Sequence, residues 1–248
     1  METVINFAHR GASGYCPENT IAAFKKALEL GATGIETDVQ LTRDGQIVVI
    51  HDESLARTAG IGKLVKDIEY AELKSLDAGS WFSPEYHAER VPSLTQLLEL
   101  LENTDTVLNI ELKNGFVQYP GLERKVIELV RSYRMTERVI LSSFNHYSLA
   151  LCKELAPEIR TGILYMEGLY RPWDYALTLQ ADALHAFKYA VTPEWTAEAA
   201  ARGIAYHPFT VNETEEMERL IDAGAAGIIT DYPDRLAEVI ARRRAVAE

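Results

Sequence analysis

The feature that most constrains the fold of this chain is a regular alternation of short apolar or β-branched runs with amphipathic stretches. Eight such runs occur, each followed by a stretch with apolar residues at helical spacing. Strict alternation of strands and helices implies a parallel sheet, and eight units favour closure into a barrel over an open, doubly wound sheet. No glycine-rich dinucleotide-binding fingerprint supports the open sheet. The sequence therefore predicts an α/β protein of the (β/α)8 TIM barrel class.

The eight predicted strands are VINFA from residue 4, ATGIETDVQ from 32, TVLNIELK from 106, RVILSS from 138, IRTGILY from 159, ADALHAF from 181, GIAYHPFTV from 203 and GIITD from 227. Several predicted helices also carry start signals. These signals are Asn19 or Thr20 as the first N-cap, Ser93 with Gln96, Thr192 before Pro193, and Asn212 with Glu215.

A length of 248 residues fits one barrel domain, since such barrels commonly span about 200 to 250 residues. We therefore expect a single domain over residues 1–248. One region, residues 53–92, does not follow the repeat. Because it lies between the run IVVIHD and the helix predicted from Ser93, we interpret it as a small insertion after strand 2, above the mouth of the barrel.

Composition and charge exclude several classes of protein. Apolar residues make up 47% of the chain and charged residues 25%, as in soluble globular proteins. A formal net charge of -12 disfavours binding to nucleic acid. There is no long apolar stretch and no secretory leader pattern, so we expect a cytoplasmic protein without a stable membrane anchor. Cys16 and Cys152 are too few for a disulfide framework.

Three acidic residues stand at alternating positions in two predicted strands. Glu36 and Asp38 alternate with apolar or small residues in the second strand, as Glu111 does in the third. The outer face of a barrel strand lies under helices, so the polar set must point into the barrel near its carboxyl-terminal mouth. Converging carboxylates repel unless a cation lies among them, and an oxygen cluster suits Ca²⁺ or Mg²⁺. The alternative is a structural ion network neutralised by Arg10 and Lys113.

Four histidines fall near strand ends that open onto the same mouth: His9, His51, His185 and His207. His9 follows strand 1 directly, and His51 ends the run IVVI, so both imidazoles can flank a group held at the carboxylates. This arrangement suits general acid and base catalysis. His185 and His207 can equally be structural residues at strand ends.

Two basic residues suggest which anion is recognised. Arg10 beside His9 offers a planar fork for one phosphate oxygen, and Lys113 on the same face as Glu111 offers a point charge for another. A phosphate-bearing small molecule is therefore the predicted substrate.

The ordered motifs resemble those of the glycerophosphodiester phosphodiesterase family, over essentially the whole chain. They are HRG at 9, PENT at 17, ETD at 36, HD at 51, ELK at 111, SSF at 142, FTVNE at 209 and TDYP at 230. The resemblance implies a TIM barrel that binds one Ca²⁺ or Mg²⁺ ion. It further implies hydrolysis of glycerophosphodiesters, such as glycerophosphocholine and glycerophosphoethanolamine, to sn-glycerol 3-phosphate and an alcohol.

The resemblance also implies roles for individual residues. The implied metal ligands are Glu36, Asp38 and Glu111, the catalytic histidines are His9 and His51, and the phosphate contacts are Arg10 and Lys113. Glu18, Asn19, Phe209 and His185 are further expected at the substrate site, where Glu18 and Asn19 can alternatively orient His9 or Arg10. Many family members carry Trp where Phe209 stands, so the apolar wall is kept here but the indole N–H is absent.

Several points remain open at this level. The catalytic alternatives are a lysophospholipase D and a silent barrel that binds phosphodiesters. A metal barrel acting on sugars or amides would normally show an H-x-H ligand pair after strand 1, and HRG provides none. The attacking oxygen is either water or the neighbouring glycerol hydroxyl, and His51 is only weakly favoured as the acid. The oligomeric state, a homodimer included, is also undecided.

Overall fold

Eight parallel strands form a barrel in the computed structural model, which describes residues 4–247. A ninth strand, β3, pairs antiparallel with β2 outside the barrel. The strands are β1 (Ile5–His9), β2 (Gly34–Leu41), β3 (Ile47–Val49), β4 (Val107–Leu112), β5 (Val139–Ser143), β6 (Arg160–Tyr165), β7 (Ala183–Ala186), β8 (Ala205–Tyr206) and β9 (Gly227–Thr230). Their order is β8-β7-β6-β5-β4-β2-β1-β9.

Backbone hydrogen bonds close the remaining gap between β8 and β9. The N–H of Ala226 donates to the carbonyl of Tyr206 at 3.0 Å, and the N–H of Ile229 donates to the carbonyl of Pro208 at 3.0 Å. The barrel therefore has no open edge at this point, and the predicted TIM barrel class is confirmed.

The α-helices lie mostly on the outer face of the barrel, and the second and third belong to a separate layer. They are α1 (Ile21–Glu29), α2 (Ala56–Ala59), α3 (Tyr70–Leu73), α4 (Leu94–Leu101), α5 (Leu122–Ser132), α6 (His146–Leu155), α7 (Pro172–Thr178), α8 (Pro193–Ala200), α9 (Thr214–Asp222) and α10 (Pro233–Ala247). Outward-facing strand residues such as Ile35 and Val39 share a buried cluster with Phe24 and Leu97 of these helices. This packing leaves the alternate, polar strand positions inside the barrel. Within residues 4–247, no helix is both long and apolar enough to cross a bilayer.

Helix starts follow the predicted capping signals in most places. The side chains of Thr20, Ser93 and Thr192 each accept a hydrogen bond from the backbone N–H three residues later. At Ser93 the backbone N–H donates in return to Gln96 Oε1, which completes a capping box. Thr20, and not Asn19, is thus the cap of α1, which leaves the Asn19 side chain available for other contacts.

The predicted cap at Asn212 is wrong. Helix α9 begins at Thr214, and its N-cap is Glu213. The Asn212 side chain instead donates to Asp231 Oδ2 at 2.6 Å and accepts from the Asp231 backbone N–H. A contact with a residue distant in sequence has therefore replaced the local capping bond.

The segment between β2 and α4 forms a small layer of its own. Besides β3 it contains α2, α3 and short 3₁₀ turns at Val65–Asp67 and Pro84–Tyr86. Its separate buried cluster consists of Val48, Ile50, Leu55, Val65, Ile68, Leu73, Ala78 and Val91. The Tyr86 hydroxyl donates to the carbonyl of Tyr15 at 3.2 Å, which fastens this layer to the loop after β1.

Two of the four strand-end histidines lie inside the barrel as a buried pair. His207 Nδ1 is 3.0 Å from His185 Nε2, and His185 is fully buried. Burial lowers the pKa of His207 to about 3, and it also holds the pKa of His185 well below its ordinary value. Both rings are therefore neutral, and one donates to the other. Gly162 provides the space, since a Cβ there would overlap the His185 ring.

Replacement of Gly162 by alanine is expected to destabilise the protein by about 1 to 3 kcal/mol, because the added methyl overpacks the barrel interior against His185. Chemical denaturation would measure the free energy of unfolding. Gly62→Ala is the matched control, since a Cβ at Gly62 meets no atom within 4 Å. Equal stability of the two variants would show that His185 can move aside without cost.

Candidate active site

The structure brings together the three carboxylates that the strand alternation places inside the barrel. Glu36 and Asp38 lie on β2 and Glu111 on β4, with Asp38 and Glu111 in register. All three are buried, and one ligand oxygen from each lies within 4.8 Å of the others. This cluster at the carboxyl ends of the strands can hold a metal ion.

Burial and mutual repulsion oppose the ionisation of the carboxyl groups in this cluster. Burial, with the neighbouring charge of Asp38, raises the pKa of Glu111 to about 7 and holds the pKa of Glu36 well above its ordinary range. Burial opposes ionisation of Asp38 as well, but the positive charges of Arg10 and Lys113 and the hydrogen bond from Asn19 outweigh it and keep this pKa low. A cation among the oxygens would relieve the repulsion.

Two basic side chains neutralise the cluster in part. Lys113 Nζ lies 2.9 Å from Glu111 Oε1, and Arg10 Nε lies 3.5 Å from Asp38 Oδ2. Asp38 Oδ1 is buried without a hydrogen-bond partner, and Lys113 Nζ is 3.9 Å from it. The ion network considered from the sequence is thus present but incomplete, and the unpaired carboxylate oxygen fits a hard cation.

His9 is held at the edge of the cluster by a carboxylate. Its Nδ1 lies 2.6 Å from Asp231 Oδ1, and its Nε2 lies 4.0 Å from Glu36 Oε2. Asp231 is itself fixed by the Ser13 hydroxyl at 2.9 Å and by the Asn212 amide at 2.6 Å. Burial disfavours the charge on Asp231, but its bonds to His9, Asn212 and Ser13 lower its pKa to about 2. The ionised Asp231 therefore orients the His9 ring with Nε2 towards the carboxylates.

His51 is oriented in the same way by a second carboxylate. Its Nδ1 lies 2.8 Å from Asp52 Oδ1, and its Nε2 lies 3.2 Å from Lys113 Nζ. Burial lowers the pKa of His51, and the cations Arg10 and Lys113 lower it further against the opposing effect of Asp38. Hydrogen bonding from Arg57 holds the pKa of Asp52 far below its ordinary value. His51 is therefore a neutral imidazole whose Nε2 accepts a hydrogen bond.

Glu18 and Asn19, expected from the sequence either to bind substrate or to orient His9 or Arg10, contact other residues of the site. Glu18 Oε1 accepts from Arg10 Nη1 at 2.9 Å. Asn19 donates to Asp38 Oδ2 at 2.9 Å and accepts from Thr37 at 2.8 Å. Arg10 and Asn19 both adopt positive φ values, 54° and 57°. Such unfavourable backbone conformations cluster at functional sites.

A pocket opens between the two histidines. Its polar side is formed by His9, Arg10, Glu36, His51, Asn109 and Glu111, and its apolar side by Phe144, Leu164, Phe209 and Ile229. Phe209 thus lies where the sequence predicted an apolar wall. The buried Oδ1 of Asn109 has no hydrogen-bond partner among the described residues. His185, predicted to contact substrate, does not line this pocket, because its ring is enclosed in the barrel against His207.

Comparison with known proteins agrees with this geometry. The model of the glycerophosphoryl diester phosphodiesterase family matches residues 9–235. A glycerophosphodiester phosphodiesterase of Caldanaerobacter subterraneus subsp. tengcongensis is 49% identical over 97% of this chain and 98% of its own length. One from Bacillus altitudinis is 44% identical over 94% and 96%. The chain belongs to the glycerophosphoryl diester phosphodiesterase family.

Solved structures support the same conclusion. An Oleispira antarctica phosphodiesterase in complex with the product sn-glycerol-3-phosphate superposes with a TM-score of 0.85 at 32% identity, covering 95% of this chain and 96% of that one. The family predicted from the ordered motifs is therefore confirmed, and with it the class of enzyme.

The sequence predicts no site role for Asp231, Asn212 and Arg57, although the first two lie within the motifs TDYP and FTVNE. Asp231 follows β9 directly, as functional residues often follow barrel strands, and this position could have identified it. Asn212 matches a helix-cap pattern, and no local pattern in the sequence predicts its contact with Asp231. Arg57 lies in the irregular segment, where no periodic pattern marks it.

If the carboxylate cluster binds a cation, that binding should stabilise the protein more at high pH than at low pH. Folded Glu111 titrates near pH 7 and unfolded Glu111 near 4.5, so the metal-free protein loses stability as the pH rises between these values. A cation bound in place of the protons restores this stability. At a cation concentration about 100 times Kd we expect a rise in Tm of about 5 to 10 °C at about pH 8 and much less at about pH 5.

Thermal unfolding with EDTA, Ca²⁺ or Mg²⁺ measures this effect. Glu111→Gln should abolish most of the shift, whereas the exposed Glu102→Gln should leave it unchanged. A full shift in Glu111→Gln would place the bound cation elsewhere.

Proposed function

We propose that this protein hydrolyses glycerophosphodiesters, such as glycerophosphocholine and glycerophosphoethanolamine, to sn-glycerol 3-phosphate and an alcohol in a reaction that requires a divalent cation. One observation carries the proposal. His9 and His51 are each anchored through Nδ1 to a carboxylate, at 2.6 and 2.8 Å, and both present Nε2 to a pocket beside three buried carboxylates. This geometry suits acid and base catalysis on a group held between the rings.

Glu36, Asp38 and Glu111 would hold the cation, and their oxygen ligands suit Ca²⁺ or Mg²⁺. When bound, such an ion neutralises phosphate charge and stabilises the charge that develops during displacement. Arg10 and Lys113 supply further positive charge at the phosphate. The incomplete neutralisation of Asp38 in the protein alone supports this assignment.

The two histidines move the protons of the reaction. One imidazole takes the proton from the attacking oxygen as the new P–O bond forms, and the other gives a proton to the alkoxide as its P–O bond breaks. The low pKa of His51 and the hydrogen bond that it accepts from Lys113 favour His51 as the base, which reverses the preference drawn from the sequence. His9 would then be the acid. The attacking oxygen belongs either to water or to the adjacent glycerol hydroxyl. Attack by the hydroxyl gives a cyclic phosphate, which is hydrolysed in a second step.

Metal-dependent release of sn-glycerol 3-phosphate is the expected outcome when the purified protein is incubated with glycerophosphocholine or glycerophosphoethanolamine. EDTA should abolish release. His9→Ala, His51→Ala and Glu111→Ala should each lower kcat by about 100-fold or more, because each removes a proton donor, a proton acceptor or a ligand. The exposed His87→Ala serves as the matched histidine control and should retain full activity.

Two further measurements distinguish the proposed function and mechanism from their alternatives. Lysophosphatidylcholine as the preferred substrate would shift the assignment to a lysophospholipase D, and phosphodiester binding without turnover would indicate a silent barrel. Rapid-quench samples decide the attacking oxygen, since a transient cyclic glycerophosphate requires the hydroxyl route and its absence favours water.

Asp231→Asn is expected to lower kcat by about 10- to 100-fold with little change in KM. An amide at this position presents an N–H to His9 Nδ1, which disfavours the tautomer with a proton on that atom. Asp234→Asn is the control, since Asp234 bonds to the Tyr15 hydroxyl at 2.8 Å and not to His9. Wild-type kcat in Asp231→Asn would remove His9 from the proton transfers.

A further inference from the structure

Arg57 lies outside the pocket yet is linked by hydrogen bonds to two residues of its polar side. It stands on α2, five positions after Asp52. Its Nε donates to Asp52 Oδ2 at 2.7 Å. Its Nη1 and Nη2 donate to the two oxygens of Glu18 at 2.8 and 2.7 Å. A single guanidinium thus pairs with two carboxylates from separate loops.

Each of these carboxylates in turn holds a residue of the site. The second oxygen of Asp52 binds His51 Nδ1 at 2.8 Å. Glu18 Oε1 also accepts from Arg10 Nη1 at 2.9 Å. A continuous chain of hydrogen bonds therefore runs from His51 through Asp52, Arg57 and Glu18 to Arg10.

We propose that Arg57 is a positioning residue for the phosphodiesterase reaction, holding His51 through Asp52 and Arg10 through Glu18 in a fixed relation to each other. The inference rests on the proposed roles of His51 and Arg10. Only the planar fork of arginine can bind both oxygens of Glu18 and still direct a third donor to Asp52. The Trp81 ring, whose centroid is 5.5 Å from the guanidinium carbon, restrains the head group from the other side.

Because Arg57 is partly exposed, its effect on turnover can be measured separately from its effect on the stability of the fold. Its side chain is 41% exposed, and exposed ion pairs contribute little to the free energy of unfolding because solvent screens them. Removal of the guanidinium should therefore affect turnover much more than stability. Without it, Asp52 can rotate away from His51, and Glu18 is left to pair with Arg10 alone.

The test compares Arg57→Ala and Arg57→Lys with Arg43→Ala, a control in which an exposed arginine loses only its pair with Glu69. We expect Arg57→Ala to lower kcat about tenfold or more without shifting the denaturation midpoint. Arg57→Lys should recover only part of the activity. Added guanidinium ion should partly restore Arg57→Ala, while Arg43→Ala should match the wild type. In an Asp52→Asn background the loss caused by Arg57→Ala should shrink, because the same chain is already broken.

Wild-type kcat and KM in Arg57→Ala would overturn the inference. So would a double variant in which the losses of kcat caused by Arg57→Ala and by Asp52→Asn multiply fully. If the unmodified protein releases no glycerol 3-phosphate, the proposed function fails separately. The imidazole ¹⁵N and Nδ1–H resonances of His51 then still decide the role of Arg57, since they should move in Arg57→Ala and not in Arg43→Ala. Unmoved resonances would refute the positioning role without reference to turnover.

Discussion

The site depends on the burial of three carboxylates inside a closed barrel. Glu36, Asp38 and Glu111 are removed from water, and ionising all three without compensation is costly. Hydrogen bonds offset part of this cost. The Arg10 backbone N–H donates to Glu36, the Asn19 amide donates to Asp38, and the Lys113 ammonium donates to Glu111. The compensation is incomplete at Asp38, where one buried oxygen has no hydrogen-bond partner. An anionic centre that its protein leaves partly unpaired is suited to binding a cation.

Most of the fold and the centre of the site could be predicted from periodicity. Alternation of strands with helices is enough to indicate a barrel, and the period of two within a strand assigns Glu36, Asp38 and Glu111 to the interior. The closing strands show the limit of this reasoning. β8 comprises only Ala205–Tyr206, and loop hydrogen bonds complete the barrel beside it, although the sequence pattern indicates a longer run.

The remaining features depend on contacts between residues far apart in the chain. His185 has the same sequence signal as His9, a histidine at a strand end, yet Gly162 on the neighbouring strand makes room for it inside the barrel. Asn212 fits a capping pattern, but the charge of Asp231 offers its amide a stronger partner. Arg57 lies in a segment without periodicity, so only the folded chain shows that it meets both Asp52 and Glu18. The conformational propensities of single residues do not predict which of several possible partners a side chain will contact.

Closure of the barrel also explains how one histidine acquires its partner. β1 pairs with β9 in parallel register, with Ala8 opposite Thr230, so the next residues, His9 and Asp231, emerge side by side at the mouth. Their hydrogen bond spans 222 positions of the chain and forms only when the first and last strands meet. His51 takes its carboxylate from the adjacent Asp52 and needs no such closure. The orientation of His9 is therefore a property of the complete barrel, while that of His51 depends on the local segment that Arg57 secures.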